Sequence, residues 1–258
     1  MIKAVNLDFK VKSKYLLKSI DFSCHASEFV AIVGPNGAGK STFLSLIANE
    51  ISPSDNEVIF KDCVFSLWCR TNLAQHKAKF SQSFSSDIPL LVKDVVMMGR
   101  YPYFQNTPSK QDIESVEQIL RYTGLDQFSG CEYNFLSGGE KQRVHIARVL
   151  VQLQNNNKQK LLLLDEPLNN LDVKHQHSVL KTIRAFCDKG NAAIVVLHDL
   201  NLASEYAQKV VILDKGIKIC QGGVKQVFTQ EILSKVYQMP CQVIENPISK
   251  NPLIIFGQ

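Results

Sequence analysis

The residues Gly34 to Thr42 (GPNGAGKST) have the composition of a phosphate grip. Gly34, Gly37 and Gly39 carry no side chains, so their stretch of backbone amides can approach oxyanions closely, while Lys40 supplies a point charge for β- and γ-phosphates. Ser41 adds a hydroxyl suited to Mg²⁺. The string fits G-x-x-x-x-G-K-[ST] and stands where that chemistry requires, after the apolar run Phe29 to Val33 and before a helix-like segment. A second glycine-rich string, Leu136 to Glu140 (LSGGE), is a further phosphate grip, one that its own chain need not use.

Asp165 and Glu166 close the apolar run Leu161 to Leu164, which places two carboxylates at a sheet edge. They can divide the labour: Asp165 orients a metal ion or its water, and Glu166 polarises an attacking water as general base. His198 ends another apolar run, Ala192 to Leu197, at the strand end where α/β sheets bind ligands, and its imidazole can hydrogen-bond a γ-phosphate oxygen. Gln82, in FSQSF, has an amide able to touch both Mg²⁺ or its water and a moving segment. Tyr15 can stack on an adenine ring or serve as a core aromatic. His175 and His177 are two apart on an expected helix and point to different faces, which argues against a shared metal.

These groups need a scaffold. At 258 residues the chain fits one large α/β domain with a small inserted subdomain, and 45% apolar with 21% charged residues is ordinary for a soluble globular protein. The net charge of +5 is scattered rather than blocked, which reads as solvated surface and not as a nucleic-acid site. Seven cysteines, an odd number without a C-x-x-C pair, in a chain opening without a secretory signal, read as reduced cytosolic thiols. The longest apolar runs fall far short of the ~20 residues that span a bilayer, so any membrane role runs through a partner.

Val5, Leu7 and Phe9, and then Ile20, Phe22 and Cys24, alternate with polar residues as half-buried antiparallel strands do. Phe29 to Val33, Lys160 to Leu164 and Ala192 to Leu197 are continuous apolar runs, as in parallel strands covered on both faces. Between Asp87 and Asn157 the texture is helical, with Thr107-Pro108 as a start signal and Gly124 as a stop. A helix is expected from Glu140 to Leu153, with Ser137 just ahead of it, so that its N-terminal amides face a phosphate. Leu200 to Ala207 reads as helix, Lys209 to Leu213 as strand, and Leu253 to Phe256 as a short terminal strand.

Together these residues resemble the ATP-binding cassette family over nearly the whole chain. In that resemblance Tyr15 matches the adenine-stacking aromatic, and Gly34, Pro35, Asn36, Gly37, Ala38, Gly39, Lys40, Ser41 and Thr42 match the Walker A loop. Gln82 matches the Q-loop, Leu136 to Glu140 the signature, Leu161 to Glu166 Walker B, Asn169 to Asp172 the D-loop and His198 the switch histidine. The implied fold is α/β: a P-loop NTPase core with a parallel sheet, an antiparallel β subdomain and an inserted α-helical subdomain. The core would span about 1–86 and 158–258, and the helical signature subdomain about 87–157.

The resemblance also implies ATP and Mg²⁺, the ion held by Ser41, Gln82 and Asp165, with Glu166, His198 and Gln82 acting in catalysis. Two chains would pair head to tail, Ser137, Gly138 and Gly139 of one capping the nucleotide held by Lys40 of the other. The absence of a coiled-coil insertion and the single cassette set the chain apart from the chromosome-maintenance, repair and translation-factor members. A separate transmembrane permease dimer is then the implied partner, and no nucleic acid. The chain would sit peripherally on the cytoplasmic face of a bacterial inner membrane, with Ile88 to Met98 and Tyr101 to Phe104 as the docking region. GRYPYF (Gly99 to Phe104), LDVKHQHSVL (Leu171 to Leu180) and LHDLNLAS (Leu197 to Ser204) are similar to the importers of ferric siderophores, cobalamin and haem. The HQH and VLHDLNLA strings point to haem, with siderophore or cobalamin as the alternative cargo and an extracytoplasmic binding protein as an indirect partner. Leu168 stands where the family usually has Thr after DEP.

Overall fold

A computed structural model of the chain describes residues 1–80 and 89–257. The described chain divides into two compact units, Met1–Leu67 with Leu180–Gln258 and Trp68–Val179.

The first unit opens with β1 (Ile2–Val11) and β2 (Lys14–Cys24), paired antiparallel from Ile2 against Cys24 to Val11 against Lys14. Period-two alternation buries Ile2 and Ala4, but the register then shifts: Asn6 adopts φ 48, Val5 turns outward at 66% exposure, and Leu7 is again buried. One bulged residue reverses the phase of the alternation, which is why Val5 and Leu7 do not share a face. Next come β3 (Phe29–Val33), whose five residues are all buried, and α1 (Lys40–Ile47). Then β4 (Val58–Phe60) and β5 (Cys63–Val64) complete an antiparallel sheet of order β2-β1-β4-β5.

The second unit begins with α2 (Arg70–His76) and β6 (Lys77–Phe80), continues through α3 (Val92–Met97) and a 3₁₀ segment Met98–Tyr103, and reaches α4 (Lys110–Tyr122). It ends with α5 (Gly138–Gln152), β7 (Leu161–Asp165) and the start of α6 (Val173–Asp188). β6 and β7 pair in parallel, Lys77 against Leu161 and Phe80 against Leu164. Helix α4 starts later than Thr107-Pro108: Ser109 is the N-cap, and it forms a reciprocal capping box with Asp112, which satisfies two backbone donors that a cap at Thr107 would leave open. Val92, Val95, Val96, Val116, Leu120, Leu125 and Val144 make the core of this unit.

Within α6 the chain returns to the first unit and forms β8 (Ala192–Val196), α7 (Leu200–Tyr206), β9 (Lys209–Asp214) and β10 (Ile217–Gly223). There β3 lies between β8 and β9, parallel to both, and β10 returns antiparallel along β9. Strands covered on both faces need apolar side chains throughout, and β3 and β8 have them. The chain finishes with α8 (Val224–Val227), α9 (Gln230–Tyr237) and a hairpin of β11 (Cys241–Glu245) and β12 (Pro252–Phe256). Among the described residues no helix is long and apolar enough to cross a membrane.

Candidate functional site

In the first unit the phosphate loop leaves the C-terminal end of β3. Gly34 has φ +146, and a Cβ there would lie 2.0 Å from the Leu213 carbonyl oxygen, so only glycine fits. Gly39 takes φ +95 immediately before α1, with the side chain of Leu17 2.9 Å from where its Cβ would stand. Lys40 is buried, and its Nζ donates to the carbonyls of Gly34 and Pro35 at 2.9 Å each. The ammonium therefore lies along the inside of the loop, where a phosphate can meet it. Asn36 and Gly37 are exposed at the rim, and Ser41 is exposed on the first turn of α1, the helix end that favours anions.

His198 leaves the same end of the sheet. Ile32 pairs with Val196, and the Leu197 amide donates to the Ile32 carbonyl at 3.1 Å, so β8 delivers an exposed His198 beside the exit of β3. The next residue, Asp199, caps α7 by accepting from Asn201 N at 2.7 Å and Leu202 N at 3.0 Å. Tyr15 lies on β2, whose Leu16 and Leu17 press against Gly39; its ring is 41% exposed, with Lys10 Nζ 4.3 Å from the centroid. The strand thus brings a partly exposed aromatic ring, flanked by lysines, near the loop.

In the second unit β7 ends at Asp165, and Glu166 follows with φ 50, a left-handed conformation unusual for a residue with a side chain. Its carboxylate Oε2 accepts from Asn169 Nδ2 at 3.0 Å, and its backbone carbonyl accepts from Gln142 Nε2 at 3.3 Å. Ser137 caps α5 through a capping box with Glu140: Oγ donates to the carboxylate at 2.7 Å, and the Ser137 amide donates to it at 2.8 Å. These bonds hold Glu140 below the usual carboxylate range. A cleft of about 600 Å³ is lined by Ser137, Gly138, Gly139, Arg143, Asn170 and His175, among others, so the signature and the D-loop share one concave surface. A Cβ on Gly139 would stand 2.7 Å from the Asn170 carbonyl oxygen.

Gln82 lies outside the described residues. His175 pairs with Asp172 at 2.8 Å, and among the described residues there is no cluster of metal-binding side chains. All seven cysteines are free thiols, and burial pushes Cys187 up to about 12. Within the segment read as a docking region, Val92, Val95 and Val96 are fully buried and belong to the core, whereas Tyr101 is 60% exposed and stacks edge-on against Phe104 at 5.7 Å. Sequence reading missed Tyr237, at the end of α9. It lines a cleft of about 260 Å³ with Pro35, Asn36, Gly37 and Ala38. No local signal links residues so far apart.

The sequence profile of the ABC transporter family matches residues 17–169. The chain is 38% identical over 255 residues to the hemin import ATP-binding protein HmuV of Pseudomonas fluorescens, covering 99% of each. It is 38% identical to the protein of the same name from Vibrio vulnificus, covering 98% of this chain and 97% of that one. Among solved structures, the dimeric ATP-binding cassette MJ0796 bound to ADP and Pi superimposes with a TM-score of 0.74 at 25% identity, covering 86% of this chain and 98% of that one.

Proposed function

The chain belongs to the ABC transporter family, and from that premise we propose that it is the ATP-hydrolysing subunit of a haem importer. The observation that carries this reading is the identity to a hemin import ATP-binding protein over 99% of both chains, far beyond the motifs that any cassette shares.

In this reading Lys40 and the amides of the Gly34 to Thr42 loop hold the β- and γ-phosphates, and Tyr15 stacks on the adenine. Glu166 polarises the water that attacks the γ-phosphorus, and His198 hydrogen-bonds a γ-phosphate oxygen. ATP and water give ADP and phosphate. Ser41, Asp165 and Gln82 offer hard oxygen donors of the kind Mg²⁺ takes and would hold that ion, which would supply charge neutralisation for the phosphates. Ser137, Gly138 and Gly139 close over the nucleotide of a second copy, at the positive end of α5.

Two copies close on ATP and reopen after hydrolysis, and Gln82 passes that motion to a separate permease dimer, with the exposed Tyr101 and the half-buried Phe104 as a point of contact. The chain then sits peripherally on the cytoplasmic face of the inner membrane, and an extracytoplasmic protein delivers the cargo. The test is uptake and growth with haem as sole iron source in cells lacking this chain. Loss of growth, restored by the wild-type chain and not by its Lys40→Ala variant, is expected. Undiminished haem uptake overturns the cargo, and lost siderophore or cobalamin uptake in the same cells would reassign it.

A further inference from the structure

The turn that follows β7 ties the carboxylate of Glu166 to the D-loop. Asn169 Nδ2 donates to Glu166 Oε2 at 3.0 Å, and the backbone around this contact is tightly wound: Glu166 has φ 50, Asn170 has φ 61, and Leu171 N donates to the Leu168 carbonyl at 3.2 Å. From the other side Gln142, on the signature helix α5, donates to the Glu166 carbonyl at 3.3 Å. The next residue along, Asn170, is in close contact with Gly139 and lines the cleft that holds Ser137.

We propose that Asn169 is the positioning residue of the general base, fixing the orientation of the Glu166 carboxylate toward the attacking water through its hydrogen bond to Oε2. A carboxylate on a flexible side chain loses most of its advantage as a base unless its orientation is set beforehand, and a neutral amide sets it without competing for the proton. Because Asn169 adjoins the surface that would receive a second copy, seating that copy bears on the base of the first chain. This inference rests on the assignment of Glu166 as base.

The experiment is single-turnover ATP hydrolysis, with purified protein in excess over ATP, for wild type, Asn169→Ala, Asn169→Asp, Glu166→Gln and Asn169→Ala/Glu166→Gln. Asn169→Ala should lower the rate of hydrolysis about tenfold while the ATP concentration for half-maximal rate stays within about twofold. Asn169→Asp, of equal size but unable to donate and negatively charged, should be slower still. The double variant should form the ATP-dependent dimer at the same ATP concentration as Glu166→Gln, which a damaged D-loop would not allow. An Asn169→Ala rate within twofold of wild type, with Glu166→Gln inactive, overturns the positioning role alone. Wild-type turnover in Glu166→Gln overturns the base assignment and this inference with it. Loss of dimerisation in the double variant overturns it in favour of a structural role for Asn169.

Discussion

Arg100 Nε donates to the Asp112 carboxylate at 2.9 Å inside the second unit, with both side chains almost wholly buried. The guanidinium also donates to the carbonyls of Val151 and Gln154 at the end of the signature helix, and it lies 3.6 Å from the centre of the Tyr103 ring. The GRYPYF string is therefore half a surface and half a clamp. Gly99 permits the close approach, since its Cβ would sit 2.2 Å from the Arg148 carbonyl oxygen, and Arg100 then fastens α4 to the end of α5. Removing one partner leaves a buried charge, so Asp112→Asn or Arg100→Met should cost about 3–5 kcal/mol in chemical denaturation. Burial alone would raise the pKa of Asp112, but the Ser109 hydroxyl and amide and then Arg100 outweigh it and hold it below the usual value. A depressed folded value means that the contribution is full above about pH 4 and is lost as pH falls through the folded pKa. Acid unfolding of wild type and Asp112→Asn should therefore converge at low pH.

His145 predicts a separate window. Its Nε2 lies 2.7 Å from the Tyr133 hydroxyl in the interior, and burial lowers its pKa to about 4. The unfolded chain takes up a proton at this residue below about pH 6.5, and the folded chain does not until about pH 4. Stability is thus full above pH 6.5 and falls between the two values by on the order of 3 kcal/mol. His145→Gln should flatten the pH dependence of the unfolding free energy in that interval, and an unchanged slope would count against a neutral buried imidazole.

Much of this was legible because the relevant signals are local. The apolar runs ending in Gly34, Asp165 and His198 are each β3, β7 or β8, with the residue proposed to act at or just past the strand end. The Ser137-Gly138-Gly139-Glu140 spacing that promises a helix start is realised as a capping box. What eluded the sequence depends on partners distant along the chain or on a single bulge. The phase change at Asn6 exposes Val5 without altering composition. Arg100 looks like surface charge until Asp112 and the carbonyls of Val151, in α5, and Gln154, just beyond it, are brought to it. The pinning of α7 by the last strand, through Asn201 to Ile254 and Ser204 to Pro252, has no signature in either segment.

The two signature glycines should respond differently to a methyl group. A Cβ on Gly138 meets only the Asn170 side chain, at 3.7 Å, whereas one on Gly139 falls 2.7 Å from the Asn170 carbonyl oxygen. Side chains can move aside more cheaply than a wound backbone. Gly138→Ala should stay within about 0.5 kcal/mol of wild type, and Gly139→Ala should lose about 1–3 kcal/mol. Urea melts of the two variants decide it, and equal stabilities would mean that the D-loop yields freely.

Glu166→Gln should bind ATP and accumulate as a dimer, because the proposed base is lost while the phosphate loop is intact. Ser137→Arg on the same background should abolish that dimer, since a long cation replaces the cap of α5 and fills the signature cleft. Light scattering after size exclusion, with and without ATP, reads both outcomes. A Glu166→Gln dimer that survives Ser137→Arg would place the pairing surface elsewhere.

Tyr237 offers a test of how the phosphate loop is held from behind. The residue ends α9, its ring stacks edge-on against Phe256 at 5.4 Å, and it lines a cleft of about 260 Å³ with Pro35, Asn36, Gly37 and Ala38. Burial pushes the phenol up to about 12, so it is neutral near neutral pH. Gly34 joins β3 to the loop and is already pressed against the Leu213 carbonyl. Tyr237→Phe keeps the ring and its packing but removes the hydroxyl from the cleft that the loop also lines. Because that cleft backs the loop, ATP affinity should drop several-fold while hydrolysis of bound ATP changes little. Fluorescent-nucleotide titration beside single-turnover hydrolysis separates the two. Unaltered affinity in Tyr237→Phe would show that the loop keeps its shape without α9, and a loss confined to the hydrolysis rate would place the influence of Tyr237 on the chemistry instead.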